Sequence, residues 1–463
     1  EANAELVSLG TRMFAALLPP DLQARLPAVV QELPFDAHFP IVVTTDDAGL
    51  AVPYELVCLP DGRPLATVPG VSFRRRVRGL AEEPARPTPG PLKILAAVAA
   101  PTNTANAPLD VEREMQAIID VVGPLDQARA QVRILEVASL GQIEEALHRD
   151  EYHVLHLSAH GSASTVELED EDGNVETVDA AQLVGALKRP GRRLPLIVLS
   201  SCSGAAGGDT GLAIELLRHG ADRVIAMQTR VSDPYATALM ARVYALLAER
   251  NPPVAVALAT ARAELHAQAV ASGRVDARPE WGVATLLAAG DDPPLVDPAR
   301  RQDLKNPDVA PAGKEVRELP LGELIGRRDQ LRRTLRILRG DPAVADIGAN
   351  SGVVLTGIGG IGKTAIAGRV IARLRTDTPP WAIVVHVGRW SPASLLSGVA
   401  ALLPADDERE ALLAAPGEQQ LAFVQDLLRT QRLLLVFDDF EQNLTVGGGE
   451  FLDPGFAEIF GNL

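Results

Sequence analysis

The sequence predicts an α/β protein with a mostly parallel sheet, followed by the front part of a second α/β domain built on a phosphate-binding loop. Three observations predict it. From Pro91 to Ala289 short apolar runs alternate with segments of helical spacing, which implies right-handed crossovers and helices on both faces of a parallel sheet. Several runs are continuously apolar and break at their carboxyl ends into small and polar residues, as strands buried on both faces do. Beyond a Pro-rich stretch, GIGGIGKT at Gly357–Thr364 fits GxxxxGK[ST] between an apolar run and a helical one.

Length and composition bound the rest. At roughly 150 residues per domain, 463 residues make two or three domains, each able to bury its own core. A hydrophobic share of 47% with 22% charged residues is that of a soluble globular chain. The net charge of −16 argues against nucleic acid or an anionic membrane as partner. Cys58 and Cys202 are the two cysteines, so neither a disulfide framework nor a CxxC metal site is written here, and a reducing cytoplasm is expected. No apolar run reaches the eighteen or so residues of a membrane span, and the start has no basic-then-apolar leader. The chain opens at Glu1 without methionine and stops at Leu463 soon after an apolar run, which suggests a fragment of something longer.

In chain order, ELVSLGTRMFAALL and DLQARLPAVVQEL are weakly amphipathic pieces broken at Pro19 and Pro20. FPIVVTT and AVPYELVCL read as strands of a hairpin turning across DDAG, and Cys58 on the second reads as core. Glu82–Pro91, EEPARPTPGP, reads as a linker that closes an opening section over 1–90. Then follow the strand LKILAAVAA, the helix DVEREMQAIIDVV, the strand QVRILEV and the helix LGQIEEALHRD. TVELEDEDGNVETV turns as a hairpin at DEDGN, and AAQLVGALK is a helix. After the next strand come a helix over GDTGLAIELLRHGA closed by Gly220, the strand DRVIAMQ, two helices over YATALMARVYALLAER and AVALATARAELHAQA, and a last strand in WGVATLLAA. The main domain thus covers 91–290, a Pro-rich linker 291–320 and the second domain 321–463, with no internal repeat.

Two strands carry the candidate chemistry. YHVLHLSAHG ends in His160 and Gly161, and LPLIVLSSCSG ends in Cys202. In an open α/β sheet the functional crevice lies outside the carboxyl ends of the strands, where a thiol and an imidazole on two strand ends can meet. A cysteine nucleophile needs a neighbouring base, and its acyl intermediate needs backbone donors, for which the amides of Gly161 and Cys202 are suitable. The alternative reading of both residues is burial, Cys202 as a small hydrophobe and His160 as a satisfied loop histidine. The small residues around them count against it. His153 and His156 fall on opposite faces of their strand, so they cannot ligate one metal together with His160 and read as hydrogen-bonded core residues.

LHLSAHG paired with IVLSSCSG, followed by GLAIELLRHGADRVIAMQTRVSD and WGVATLLAAG, resembles the CHAT family of caspase-like and separase-like cysteine proteases, and AVPYELVCLPDG resembles that family's opening. The resemblance covers about residues 35 to 290. It implies a caspase-like three-layer sandwich, with His160 as general base, Cys202 as nucleophile and Gly161 as oxyanion donor, hydrolysing a peptide bond of a dedicated protein substrate through a thioester. Relatives that cleave after Arg or Lys often carry Asp two residues before the nucleophile. Ser200 stands there, which implies a small or apolar residue on the amino side of the scissile bond. Asp209 is a further pocket candidate, or equally a helix N-cap.

In the second domain the glycines of the phosphate loop (Gly357, Gly359, Gly360, Gly362) and Ile361 turn amides toward phosphate, Lys363 reaches the terminal phosphates, and Thr364 offers a hydroxyl to magnesium. RLLLVFDDF ends a strand in Asp438, which fits the magnesium-holding acid of a P-loop NTPase, and Asp439, placed to polarise water. These aspartates otherwise merely end a strand. An Asp rather than a longer acid there suits slow turnover and a switch. LIGRRDQL resembles the segment that opens the nucleotide-binding domain of NB-ARC-like ATPases of the STAND class, which implies Ile325, Gly326 and Arg327 beside the adenine; the alternative is an ordinary helix start. The combined expectation is a cysteine endopeptidase governed by an ATP/ADP and Mg²⁺ switch that self-associates on activation. The alternative is a signalling ATPase whose front domain only binds a partner.

Overall fold

In the computed structural model of the protein, the described residues are 2–34, 37–50, 52–80, 85–101, 103–104, 111–123, 128–162, 164–170, 173–188, 193–200, 210–228, 233–273, 280–305, 316, 324, 326–340, 352–403, 406–445, 447 and 449–462. The chain divides into two compact units, Glu1–Lys305 and Asn306–Leu463. Among the described residues no helix is long and apolar enough to cross a membrane.

The first unit opens with α1 (Ala2–Leu17) and α2 (Pro20–Gln31), then β1 (Phe39–Thr45), the short α3 (Asp47–Leu50), β2 (Val71–Val77), β3 (Thr88–Gly90) and β4 (Leu92–Val98). Alternation follows: α4 (Val111–Val122), β5 (Ala130–Ile134), α5 (Leu140–Arg149), β6 (Val154–Ser158), β7 (His160–Gly161), β8 (Thr165–Glu169), β9 (Val175–Asp179), α6 (Ala180–Leu187) and β10 (Leu196–Leu199). Then come α7 (Thr210–His219), β11 (Arg223–Met227), α8 (Asp233–Arg250), α9 (Val254–Ala271), β12 (Ala284–Ala288) and β13 (Val296–Arg301). Local signals set several boundaries. Ser139 caps α5 by accepting from the Gln142 amide, and Asp179 with Gln182 forms a capping box on α6.

Eight strands form one mixed sheet in the order β1-β2-β12-β11-β10-β6-β4-β5. All neighbours run parallel except β11 and β12, so the sheet is mostly parallel as expected, with β12, β2 and β1 reversed relative to the rest. Strands β4, β6, β10, β11 and β12 are buried at every residue, which is why their sequences are continuous apolar runs. The main core joins the α4 residues Met115, Ile118 and Val122, the α8 residues Leu239, Met240 and Val243, and the sheet residues Ile94, Val154 and Val198.

Three expectations change. FPIVVTT and AVPYELVCL do not form a hairpin: β1 pairs in parallel with β2, and Tyr54–Leu56 is a 3₁₀ turn after Pro53, placing buried Glu55 against Arg75. Both Pro-rich stretches contain strand, because β3 and β13 pair in parallel as a separate two-stranded sheet. The chain after β13 is also tied down, as a strap across the amino ends of β4 and β5. Lys93 Nζ donates to the Gln302 carbonyl (2.9 Å), Leu304 N to Gln131 Oε1 (2.7 Å) and Lys305 N to Asp150 Oδ1 (2.8 Å).

The second unit contains α10 (Arg328–Arg339), α11 (Lys363–Arg375), β14 (Ala382–Val387), α12 (Pro392–Ala400), α13 (Asp406–Ala414), α14 (Gly417–Thr430), β15 (Leu433–Asp438) and α15 (Pro454–Asn462). β14 and β15 pair in parallel. GVVLT, expected as the strand before the phosphate loop, is assigned to no strand, and Val354 is 85% exposed. Its short β-branched apolar run suits a strand, but no ladder partner takes it up among the described residues.

Candidate active site

The carboxyl rim of β6 and β10 is set by register. The two strands are parallel neighbours with Leu157 opposite Leu199, and the Ser200 amide donates to the Leu157 carbonyl at 2.9 Å. Ser158 and Ser200 therefore stand side by side where the sheet ends, and the Ser158 hydroxyl reaches the Ser200 carbonyl at 3.1 Å. His160 follows Ser158 by two residues, as Cys202 follows Ser200 by two. Cys202 and Asp209 lie outside the described residues.

His160 and Gly161 make up β7, an edge strand that pairs antiparallel with β8, His160 opposite Glu167 and Gly161 opposite Val166. Ser162 N donates to the Thr165 carbonyl at 2.8 Å, and hydrogen-bonded pairs alternate along an antiparallel ladder. Gly161 consequently occupies a non-bonded pair, with its amide turned away from β8. Glycine has a second reason to be here: a Cβ on it would come 2.6 Å from the Thr165 carbonyl oxygen. The β8–β9 hairpin turns through Asp170–Asn174 as its sequence predicts, with Asp170 N bonded to Asn174 O at 2.8 Å. It is fastened to the rim by buried Glu169, whose carboxylate accepts from the amides of Ala100 (2.5 Å) and Ala138 (3.0 Å).

Beneath the rim lies a buried polar network that no sequence motif marks. Glu114, on α4, accepts from Ser158 Oγ at 2.6 Å and stands 3.1 Å from His156 Nε2, while Tyr244 of α8 stands 2.7 Å from His156 Nδ1. Burial pushes the Glu114 carboxyl up, but the hydrogen bonds and charge of His156 and the hydroxyls of Ser158 and Ser200 outweigh it and hold it below the ordinary range. Ser200 is thereby engaged inward. The signal was present in DVEREMQAIIDVV, where Glu114 falls on the apolar face, four residues before Ile118. His153 faces other partners: its Nδ1 accepts from the Lys93 amide at 3.0 Å, and its Nε2 donates to the Thr88 carbonyl at 3.3 Å. Burial holds it neutral, with its pKa lowered to about 4. Both rings are hydrogen-bonded core residues as expected. Among the described residues no group of three or more His, Cys, Asp or Glu could hold a metal ion.

In the second unit, α11 starts at Lys363 directly after the loop, with Gly362 in the left-handed region at its N-cap. Gly360 and Gly362 need their positive φ of +77° and +100°, whereas a side chain at Gly359 would meet nothing, so that position stays open to an approaching ligand. Lys363 Nζ donates to the carbonyls of Gly357 (2.9 Å) and Ile358 (3.3 Å), and Thr364 Oγ1 donates to Asp438 at 3.0 Å. Arg327 donates to the Ile361 carbonyl at 3.0 Å, and Gly326 adopts a φ of +73°. A cavity of about 610 Å³ opens here, lined by Arg327, Arg333, Thr334, Ile361, Lys363 and Ile366. Ile325 lies outside the described residues. Asp439, exposed and at a φ of +53°, accepts from the Gln442 amide through its carbonyl.

Among solved structures the chain is similar to the "Arg specific cysteine proteinase gingipain R (RGPB)", at 12% identity over 62% of this chain and 70% of that one, with a TM-score of 0.41. It is also similar to the "Complex of Porphyromonas gingivalis RgpB pro- and mature domains", at 11% identity over 62% and 72%, with a TM-score of 0.41. No curated protein matches it. The CHAT domain family matches over residues 7–298, and the chain, a mixed α/β protein with a mostly parallel central sheet, belongs to that family.

Proposed function

We propose that the first unit is a cysteine endopeptidase in which Cys202 is the nucleophile, His160 the general base and Gly161 an oxyanion donor. The observation that carries this reading is the shared level of Ser158 and Ser200, from which the histidine and cysteine segments leave adjacent strands. In the reaction His160 takes the thiol proton, and sulfur attacks the scissile carbonyl. The Gly161 amide, turned away from β8, donates to the oxyanion. His160 then protonates the leaving amine as the carbon–nitrogen bond breaks. Water, deprotonated by the same ring, hydrolyses the thioester and frees the thiol. Ser200 presents no carboxylate and is bonded inward to Glu114, which favours a small or apolar residue before the cleaved bond. The buried free thiol of Cys58 fits a reducing cytoplasm.

The second unit, on this reading, binds ATP or ADP with Mg²⁺ and acts as a slow switch that assembles the chain and turns on cleavage of a protein substrate. The residues present fit the group: an open loop of glycines, Lys363 for phosphate charge, Thr364 and Asp438 for the metal, and a cavity beside them whose lining includes Arg327, for the adenine. Comparing cleavage products across a proteome between wild type, Cys202→Ala and His160→Ala tests the peptidase. Either substitution is expected to lower cleavage about 10³-fold. Identical fragment patterns from all three would leave the partner-binding reading in its place.

A further inference from the structure

A carboxylate buried beneath the rim is costly, and the fold does not need one. Removing an ion from water costs several kcal/mol, and well-packed apolar side chains commonly serve stability as well. Glu114 nevertheless sits on the apolar face of α4, with both oxygens used, one at His156 Nε2 (3.1 Å) and one at Ser158 Oγ (2.6 Å). Its bonds reach both strands of the candidate site. His156 and Ser158 belong to β6, whereas Ser200, at the end of β10, hydrogen-bonds the same carboxylate, and its carbonyl oxygen lies 3.1 Å from the Ser158 hydroxyl. Tyr244 holds the far side of the His156 ring at 2.7 Å. A satisfied network of this kind specifies geometry more than it adds stability.

We propose that Glu114 is a positioning residue, a clamp that locks the carboxyl ends of β6 and β10 at one level so that His160 and Cys202 are delivered side by side. The proposal rests on the peptidase reading and adds to it a part outside the His160–Cys202 pair. Backbone bonds hold the last residues of β6 and β10 to their neighbours, Ser200 N to the Leu157 carbonyl at 2.9 Å and Ala99 N to the Ser158 carbonyl at 2.7 Å, and the clamp adds a side-chain tie between the two strands at that level. The Ser158 hydroxyl, touching both the carboxylate and the opposite strand's carbonyl, is the joint of the clamp.

Alkylation by iodoacetamide at neutral pH reads the result without knowledge of the substrate. Cys58 stays silent because burial raises its thiol to about 11. In the full chain with saturating MgATP, Cys202 is expected to react about tenfold or more faster than an ordinary thiol, as a histidine-paired thiolate does. Glu114→Leu and Ser158→Ala, melting cooperatively, should return that rate to the ordinary value, while Glu114→Gln, which preserves shape and hydrogen bonding, restores most of it. Ser158→Ala keeps the test sound if the Leu variant does not fold, since it deletes one oxygen. Equal rates in wild type, Glu114→Leu and Ser158→Ala, all well above an ordinary thiol, would overturn the clamp and leave the peptidase standing. A wild-type Cys202 no faster than a free thiol would remove the peptidase reading, and the clamp with it.

Discussion

The two candidate sites are held in opposite ways. Around the rim of the first unit, every residue of β6 and β10 is buried, and the carboxylates of Glu114 and Glu169 are spent on internal partners. Around the phosphate loop, β14 and β15 are mostly half-buried, Thr364 is exposed, and Lys363 rests on the carbonyls of its own loop. The described part of the first rim is thus held by internal partners. The other site keeps Lys363 on two carbonyls of its own loop, Gly357 and Ile358.

Three measurements can break or sharpen that contrast. The largest effect is expected for Asp150→Ala, which takes from the almost wholly buried Arg133 the carboxylate bound at 2.6 Å and from the Lys305 amide its acceptor, leaving the Arg133 contact to the Lys305 carbonyl at 3.0 Å. It should cost the first unit about 3 to 5 kcal/mol in chemical denaturation. The matched change in the second unit, Asp377→Ala opposite the more exposed Arg339, should cost about 1 kcal/mol. Equal losses would erase the distinction.

The next effect is a pH dependence confined to the first unit. His153 has a folded pKa of about 4, below the ordinary 6.5, so between those values the unfolded chain binds a proton that the native state refuses. Stability therefore falls as pH drops from about 6.5 to about 4, by about 3 kcal/mol in all. Urea unfolding across that range should show the decline, and His153→Gln should reduce it, leaving the smaller share of His38 and His266, whose pKa values burial also lowers. A wild-type profile level over the same range would contradict the buried neutral ring.

The smallest effect concerns ligand. Saturating MgATP at about a hundred times its Kd should raise the melting transition of the second unit by the equivalent of about 2.7 kcal/mol and leave that of the first in place. Lys363→Ala should abolish the rise. A first-unit transition that shifted by the same amount would show that ligand orders both sites.

Much of this was legible in sequence. Runs such as LKILAAV and VLHLS are buried on both faces, and that alone makes an apolar run without alternation. His160 could be found because such a run breaks immediately before it. β2 was harder: its three arginines, Arg74 to Arg76, hide a strand whose charges are answered by Glu55 and Asp291, residues remote in the chain. Glu114 was missed for the same reason, since a buried carboxylate is intelligible only once His156 and Ser158 are beside it. GVVLT was misread in the other direction, because composition states a preference and a ladder needs a partner.

The strap at 302–305 has a mechanical consequence. The chain leaves the first unit across the feet of β4 and β5, at the end of the sheet remote from the rim. A pull arriving from residue 306 onward would be taken up first by the anchors at Lys93, Gln131 and Asp150. Lys93 also offers its amide to His153, at the foot of the strand that leads to His160, so traction and chemistry enter β6 from opposite ends.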